Sequence, residues 1–221
     1  MRRLTSALAL LVGLPLLAAP AAAQRPLDLT GPKADRVFFV LGMLMEYAGG
    51  RAVRGPDQVE LFYCSERDAV PRFTRVLTVL AREQGLPADV REETKQSCLT
   101  TVHSAAVADA LGAFYPRGTS SMDLGWFVRA GAQAANGSIA AGDLDRRRAL
   151  AYVAGAWARH RHERTMVLVA GSGKADRLAT LLKALGCANV RIQSSLAASP
   201  GSNTVFFEPT ADVSNWLNKS W

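Results

Sequence analysis

Residues 165–221 alternate between two hydrophobic periods, and that alternation leaves few folds open. Thr165–Ala170 reads as a strand, Lys174–Leu185 as a helix stopped by Gly186, Val190–Ser194 as a second strand, Thr204–Glu208 as a third, and Asp212–Asn218 as a short final helix. The order is β-α-β-β-α, and its first β-α-β step implies a right-handed crossover. An earlier stretch starts in the same manner. Gln58–Tyr63 reads as a strand closed by Cys64, and Ser65-Glu66-Arg67-Asp68 resembles a capping box that opens a helix to Gln84, with Gly85 after it. Val70, Phe73, Val76, Leu77 and Leu80 fall on one face of that helix.

The rest of the chain predicts helices. Lys33 to Ala48, entered through Pro32 and stopped by Gly49-Gly50, is apolar on nearly every face from Val37 to Met45, so it belongs at the centre of a core. A strand through Val37–Leu41 is the competing reading. The segment 97–103 reads as a short strand or as the start of a helix to Phe114. An Ala-rich middle follows, with helices over Met122–Ala135 and Leu144–His160. Small residues there (Gly131, Ala134, Gly155, Ala156) would let helices approach closely. Asp143 and Asp145 favour the start of the second helix, and Arg159 and His160 its end. No internal repeat stands out, and no linker separates two domains. The fold expected is α/β or α+β: one compact domain over 33–221 with an Ala-rich helical middle, 165–221 forming the β-α-β-β-α unit.

Residues 1–23 have the order of a secretory signal peptide. Met1-Arg2-Arg3 is the basic end, Leu8 to Leu17 the apolar stretch, and Ala21-Ala22-Ala23 the small-residue cleavage site, with 24–32 left as a polar leader. After cleavage no apolar run is long enough to cross a bilayer. The expected location is the periplasm or the medium. The signal also carries part of the charge: the chain's formal +7 becomes +5, with 24 basic against 19 acidic residues, once Arg2 and Arg3 are removed. With 49% hydrophobic and 20% charged residues the chain is no disordered protein, and three cysteines make no disulfide-dense scaffold.

Catalytic templates fail one by one. Gly171-Ser172-Gly173-Lys174 lies between a strand and a helix, but Leu168 and Ala175 break the phosphate-loop pattern and Asp176 breaks the dinucleotide one. Ser172, Gly173 and Lys174 remain as a weak anion-binding turn, built on free N–H groups at a helix start. Ala170 and Lys174 stand where a nucleophile elbow needs glycines. His160 and His162 diverge if helical and sit among arginines, so no metal site is expected. Glu46, Glu60, Glu66 and Asp68 cluster around the first strand and could include a glycosidase pair only if brought to the right separation.

Cys64 and Cys98 are expected to pair in an oxidising compartment, leaving Cys187 as a buried thiol. Arg146, Arg147 and Arg148, with Arg159, Arg161 and Arg164, bracket one helix as two basic clusters open to an anionic partner. No aromatic-interleaved nucleic-acid motif accompanies them, so no nucleic-acid partner is expected. Val213, Trp216, Leu217 and Trp221 form an apolar stripe suited to packing on a sheet. These observations predict a secreted, non-catalytic binding or accessory protein of the bacterial envelope, without cofactor and with a protein or anionic envelope component as partner. The alternative is a periplasmic hydrolase of an anionic or glycan substrate.

Overall fold

The computed structural model describes residues 27–44, 57–95, 98–111, 114, 145–161, 167–194 and 202–221, with 167–173 and 202 described in their backbone only. In chain order the elements are α1 (Gly31–Met43), β1 (Gln58–Phe62), a 3-10 helix (Cys64–Ala69), α2 (Val70–Glu83), β2 (Arg91–Lys95), β3 (Leu99–His103) and α3 (Ala105–Leu111). Then come α4 (Arg146–His160), β4 (Val167–Gly171), α5 (Ser172–Ala184), β5 (Ala188–Ser194), β6 (Ser202–Glu208) and α6 (Ala211–Leu217). The signal segment, the helix expected over Met122–Ala135, Glu46, His162 and Arg164 lie outside the described residues.

The α+β domain is built twice over. Each half runs helix, strand, helix, strand, strand, helix, and each forms a three-stranded sheet, β1-β3-β2 and β4-β6-β5. All four strand pairings are antiparallel, so the two outer strands of each sheet run parallel and the last strand of each half slots between them. The β-α-β-β-α unit expected at the C-terminus is present. The internal repeat that the sequence does not display is present as topology.

The central layer is the pair α1 and α4, the most extensive packing between any two elements. The apolar run of α1 is helical, not a strand, and Val37, Phe38, Phe39, Val40, Leu41 and Met43 are all fully buried. At roughly 1.5–3 kcal/mol for each large apolar side chain, this helix dominates the core. The two helices run side by side in the same direction, Arg147 gripping Asp35 at their N-terminal ends and Arg159 bonding the Met43 carbonyl at their C-terminal ends. They touch backbone to backbone at two glycines. A Cβ on Gly42 would stand 2.0 Å from the Tyr152 carbonyl oxygen, and one on Gly155 would stand 1.9 Å from that of Phe39. Tyr152 precedes Gly155 by three residues, as Phe39 precedes Gly42, so the contact is reciprocal about an approximate two-fold axis.

Around this pair, α2 turns Val70, Phe73, Val76, Leu77 and Leu80 inward as its spacing predicts, but it starts at Val70, after the 3-10 turn. Glu66 caps that turn by accepting from the Tyr63 N–H at 3.0 Å. Of segment 97–103, Leu99–His103 form strand β3, and the helix begins only at Ala105, capped by Ser104, whose hydroxyl accepts from the Val107 N–H. Strand β2 (REETK) carries no apolar pattern. It exists because it pairs with β3 along an exposed edge, and Thr74 of α2 donates to Glu92 at 2.5 Å. Cys64 and Cys98 form a disulfide, tying the end of β1 to the turn before β3, while Cys187 is free and buried, its thiol pushed up by that burial. Among the described residues no helix is long and apolar enough to cross a membrane.

Candidate functional site

Where α1 and α4 end, the core is polar. Arg159, on the last turn of α4, is fully enclosed and makes contacts with three elements. It bonds Glu66 through Nε (2.8 Å) and Nη2 (3.1 Å), reaches Glu60 of β1 (3.2 Å), and donates to the carbonyls of Met43 and Leu61 at 2.7 and 2.8 Å. Its guanidinium lies 4.4 Å from the centre of the Phe62 ring. Burial alone would lower its pKa, but the facing charges of Glu66 and Glu60 outweigh burial and hold it above the ordinary value. The sequence places Arg159 at a helix end, where a cation suits the dipole. In the fold it serves the C-terminus of the neighbouring helix instead of its own.

Lys174 enters the same space from the first turn of α5 and is only 3% exposed. Its Nζ lies 2.6 Å from the Gly42 carbonyl, 2.5 Å from the Leu44 carbonyl and 3.3 Å from His160 Nε2. It therefore points inward, and its donors are taken by the frayed end of α1. Ser172 and Gly173 open α5 directly after β4, with their backbone in the helix. Burial brings the Lys174 pKa down to about 7, the charge of Arg159 acting the same way and Glu60 and Glu66 opposing it. His160 is pushed well below the ordinary histidine value, by burial first and then by Lys174 and Arg159.

The arginines of the first basic cluster each face a carboxylate while their side chains stay partly exposed. Arg146 pairs with Asp212 at 2.6 Å, Arg147 with the buried Asp35 at 2.7 Å, and Arg148 with Asp145 at 3.0 Å. Only Arg161 of the second cluster is exposed, and Arg164 lies outside the described residues. Glu60 and Glu66 do come together, but on Arg159 and inside the protein, not across a cleft. Of the expected stripe, Val213 and Leu217 are buried and Trp221 stacks at 4.3 Å on Phe39 of helix α1 and not on a sheet, while Lys219 sits 4.4 Å from the centres of both the Trp216 and Trp221 rings.

Two sheet faces carry polar groups that sequence reasoning had not found, partly exposed on the C-terminal sheet and covered at Thr101 and His103 on the N-terminal one. In the C-terminal sheet, Val205 and Phe207 are buried against the helices, so Thr204 and Phe206 face outward with their β5 partners Gln193 and Arg191. Arg191 lies over the Phe206 ring at 4.6 Å. In the N-terminal sheet, His103 is held between Asp57 (Nδ1, 3.3 Å) and Glu93 (Nε2, 3.3 Å), with Arg91 also on Asp57 and Lys95 on Glu93. Both carboxylates are held below their usual range. For Asp57 burial acts the other way but is outweighed by hydrogen bonds and the charges of His103 and Arg91; for Glu93 the bond to Lys95 leads. The alternation of Arg191-Ile192-Gln193 is a visible sequence signal, but which side faces solvent depends on register.

No family model and no curated protein matches the chain. Solved structures do. A variant of the homing endonuclease I-DmoI, in complex with its target DNA nicked in one strand and in the presence of Mn, matches with a TM-score of 0.52 at 10% identity, covering 85% of this chain and 93% of that one. A second variant, bound to its target DNA in the presence of Mg, gives 0.51 at 11% identity over 85% and 94%. I-DmoI in complex with DNA and Mn gives 0.50 at 11% over 86% and 99%. The shared property is the fold.

These neighbours correct the functional expectation. A secreted envelope accessory protein, or a hydrolase of anionic or glycan substrates, has no counterpart among structures that hold target DNA, and the exclusion of a nucleic-acid partner does not stand against them. The exclusion rested on the lack of a linear motif, which says nothing of a surface assembled by folding. Of the expected description, the α/β fold and the disulfide remain. Among the described residues no three His, Cys, Asp or Glu side chains converge on one point. Glu60 and Glu66 are taken by Arg159, and Asp57 and Glu93 flank opposite nitrogens of one imidazole.

Proposed function

We propose that this chain binds DNA, using the outward faces of its two sheets. The observation that carries the reading is the match of the whole duplicated frame to complexes with target DNA. The exposed chemistry supports it: Arg191, Gln193 and Thr204 are side chains that reach phosphates and base edges, and they stand on rigid strands beside the Phe206 ring. Binding is the activity these residues support; of the described carboxylates beside the central helices, Glu60 and Glu66 are committed to Arg159.

Fluorescence anisotropy with a labelled random-sequence duplex pool tests this. Binding should weaken steeply between 50 and 200 mM salt as phosphate contacts release counterions, and Arg191→Ala should weaken it by about tenfold. Absence of binding to any duplex at 50 mM salt would refute the proposal, and unchanged binding by Arg191→Ala would move the interface off the C-terminal sheet.

A further inference from the structure

The polar junction at the ends of the two central helices is more than a satisfied core. Lys174 Nζ has three directions for hydrogen bonding, and each has a partner: the Gly42 carbonyl, the Leu44 carbonyl and His160 Nε2. The two carbonyls require N–H donors. The third direction, toward His160, can be filled in two ways. A neutral amine accepts from an Nε2–H, or an ammonium donates to a bare Nε2, the imidazole changing tautomer between them. Zero or one proton on the pair therefore leaves the Lys174 Nζ–His160 Nε2 contact and both carbonyls satisfied.

A second proton does not. An ammonium and an imidazolium would then face each other at 3.3 Å, N–H against N–H, with both side chains nearly sealed from water. Among the described residues the surrounding charges offer no relief. From α4 the junction is faced by Arg159 and the Tyr152 ring, from β1 by Glu60, from the 3-10 helix by Glu66; α1 presents only carbonyls. With one proton on the pair, Lys174 and Arg159 balance Glu60 and Glu66. With two, the enclosed cluster carries an uncompensated positive charge, and His160 Nδ1 is 3.8 Å from Glu66, too far for a hydrogen bond.

We propose that Lys174 and His160 form a proton-sensitive latch that holds the C-terminal end of α1 to α4 and α5 with one proton or none, and releases it when a second is taken up. The low pKa of His160 gives the direction: the folded state resists the proton that the unfolded chain accepts below about pH 6.5, so the latch loses stability as pH falls through that point.

Urea unfolding at pH 7 and pH 5, for the wild type and for His160→Gln, measures this. Glutamine can accept from or donate to Lys174 but does not titrate. Between the two pH values the wild-type folded-to-unfolded ratio should fall by roughly tenfold or more beyond the fall seen in the variant. An equal fall in both would overturn the latch. Should the variant fail to fold, NMR titration of His160 in the wild type decides the matter: a midpoint well below 6.5 is expected, and one at or above 6.5 overturns the proposal.

Discussion

Gly42 and Gly155 show how little freedom the centre allows. Each lies against the other helix's backbone, so a methyl group at either position must drive the helices apart and loosen the aromatic packing around Phe38 and Phe39. Gly42→Ala should cost about 3 kcal/mol in urea unfolding, although alanine is the better helix former, and Gly155→Ala should behave alike because the contact is reciprocal. A loss under about 1 kcal/mol at either site would mean that the helices separate easily. At this scale the sequence was partly readable. The small residues of the second helix suggested close approach, and the apolar run of the first suggested a buried centre. What it could not supply was the partner: Glu60, Glu66, Arg159, His160 and Lys174 are scattered over more than half the chain, and only the pairing of α1 with α4 gathers them.

Elements were legible where an apolar period marked them, as in α2 and in the β-α-β-β-α unit. They were not legible where partners decide. Strand β2 is charged throughout, and nothing local distinguishes it from a loop. The opening of α2 was placed too early because the 3-10 turn uses capping residues of the same kinds. The Cys64–Cys98 bridge secures this least patterned region, joining the 3-10 turn to the residue before β3. With the two cysteines 34 positions apart, its loss should cost roughly 3–4 kcal/mol on the chain-entropy account. Thermal unfolding of the Cys64→Ser/Cys98→Ser double variant checks this, and hydrogen exchange should show β2 and β3 loosening before the C-terminal sheet does. Uniform loosening would mean that the bridge supports the whole fold.

The whole molecule is one topology used twice, with the mean direction of both central helices shared and a sheet on either side. The duplication shows in the order of the elements and the pairing of the strands, and not in a repeated sequence motif. It also bears on how the protein could be taken apart. Neither half can bury its own central helix, for the partner of α1 is α4. A chain severed between Phe114 and Asp145 should therefore behave as a split protein. Each fragment expressed alone should aggregate through its uncovered apolar helix, whereas co-expressed fragments should reassemble and purify together on a tag carried by only one of them.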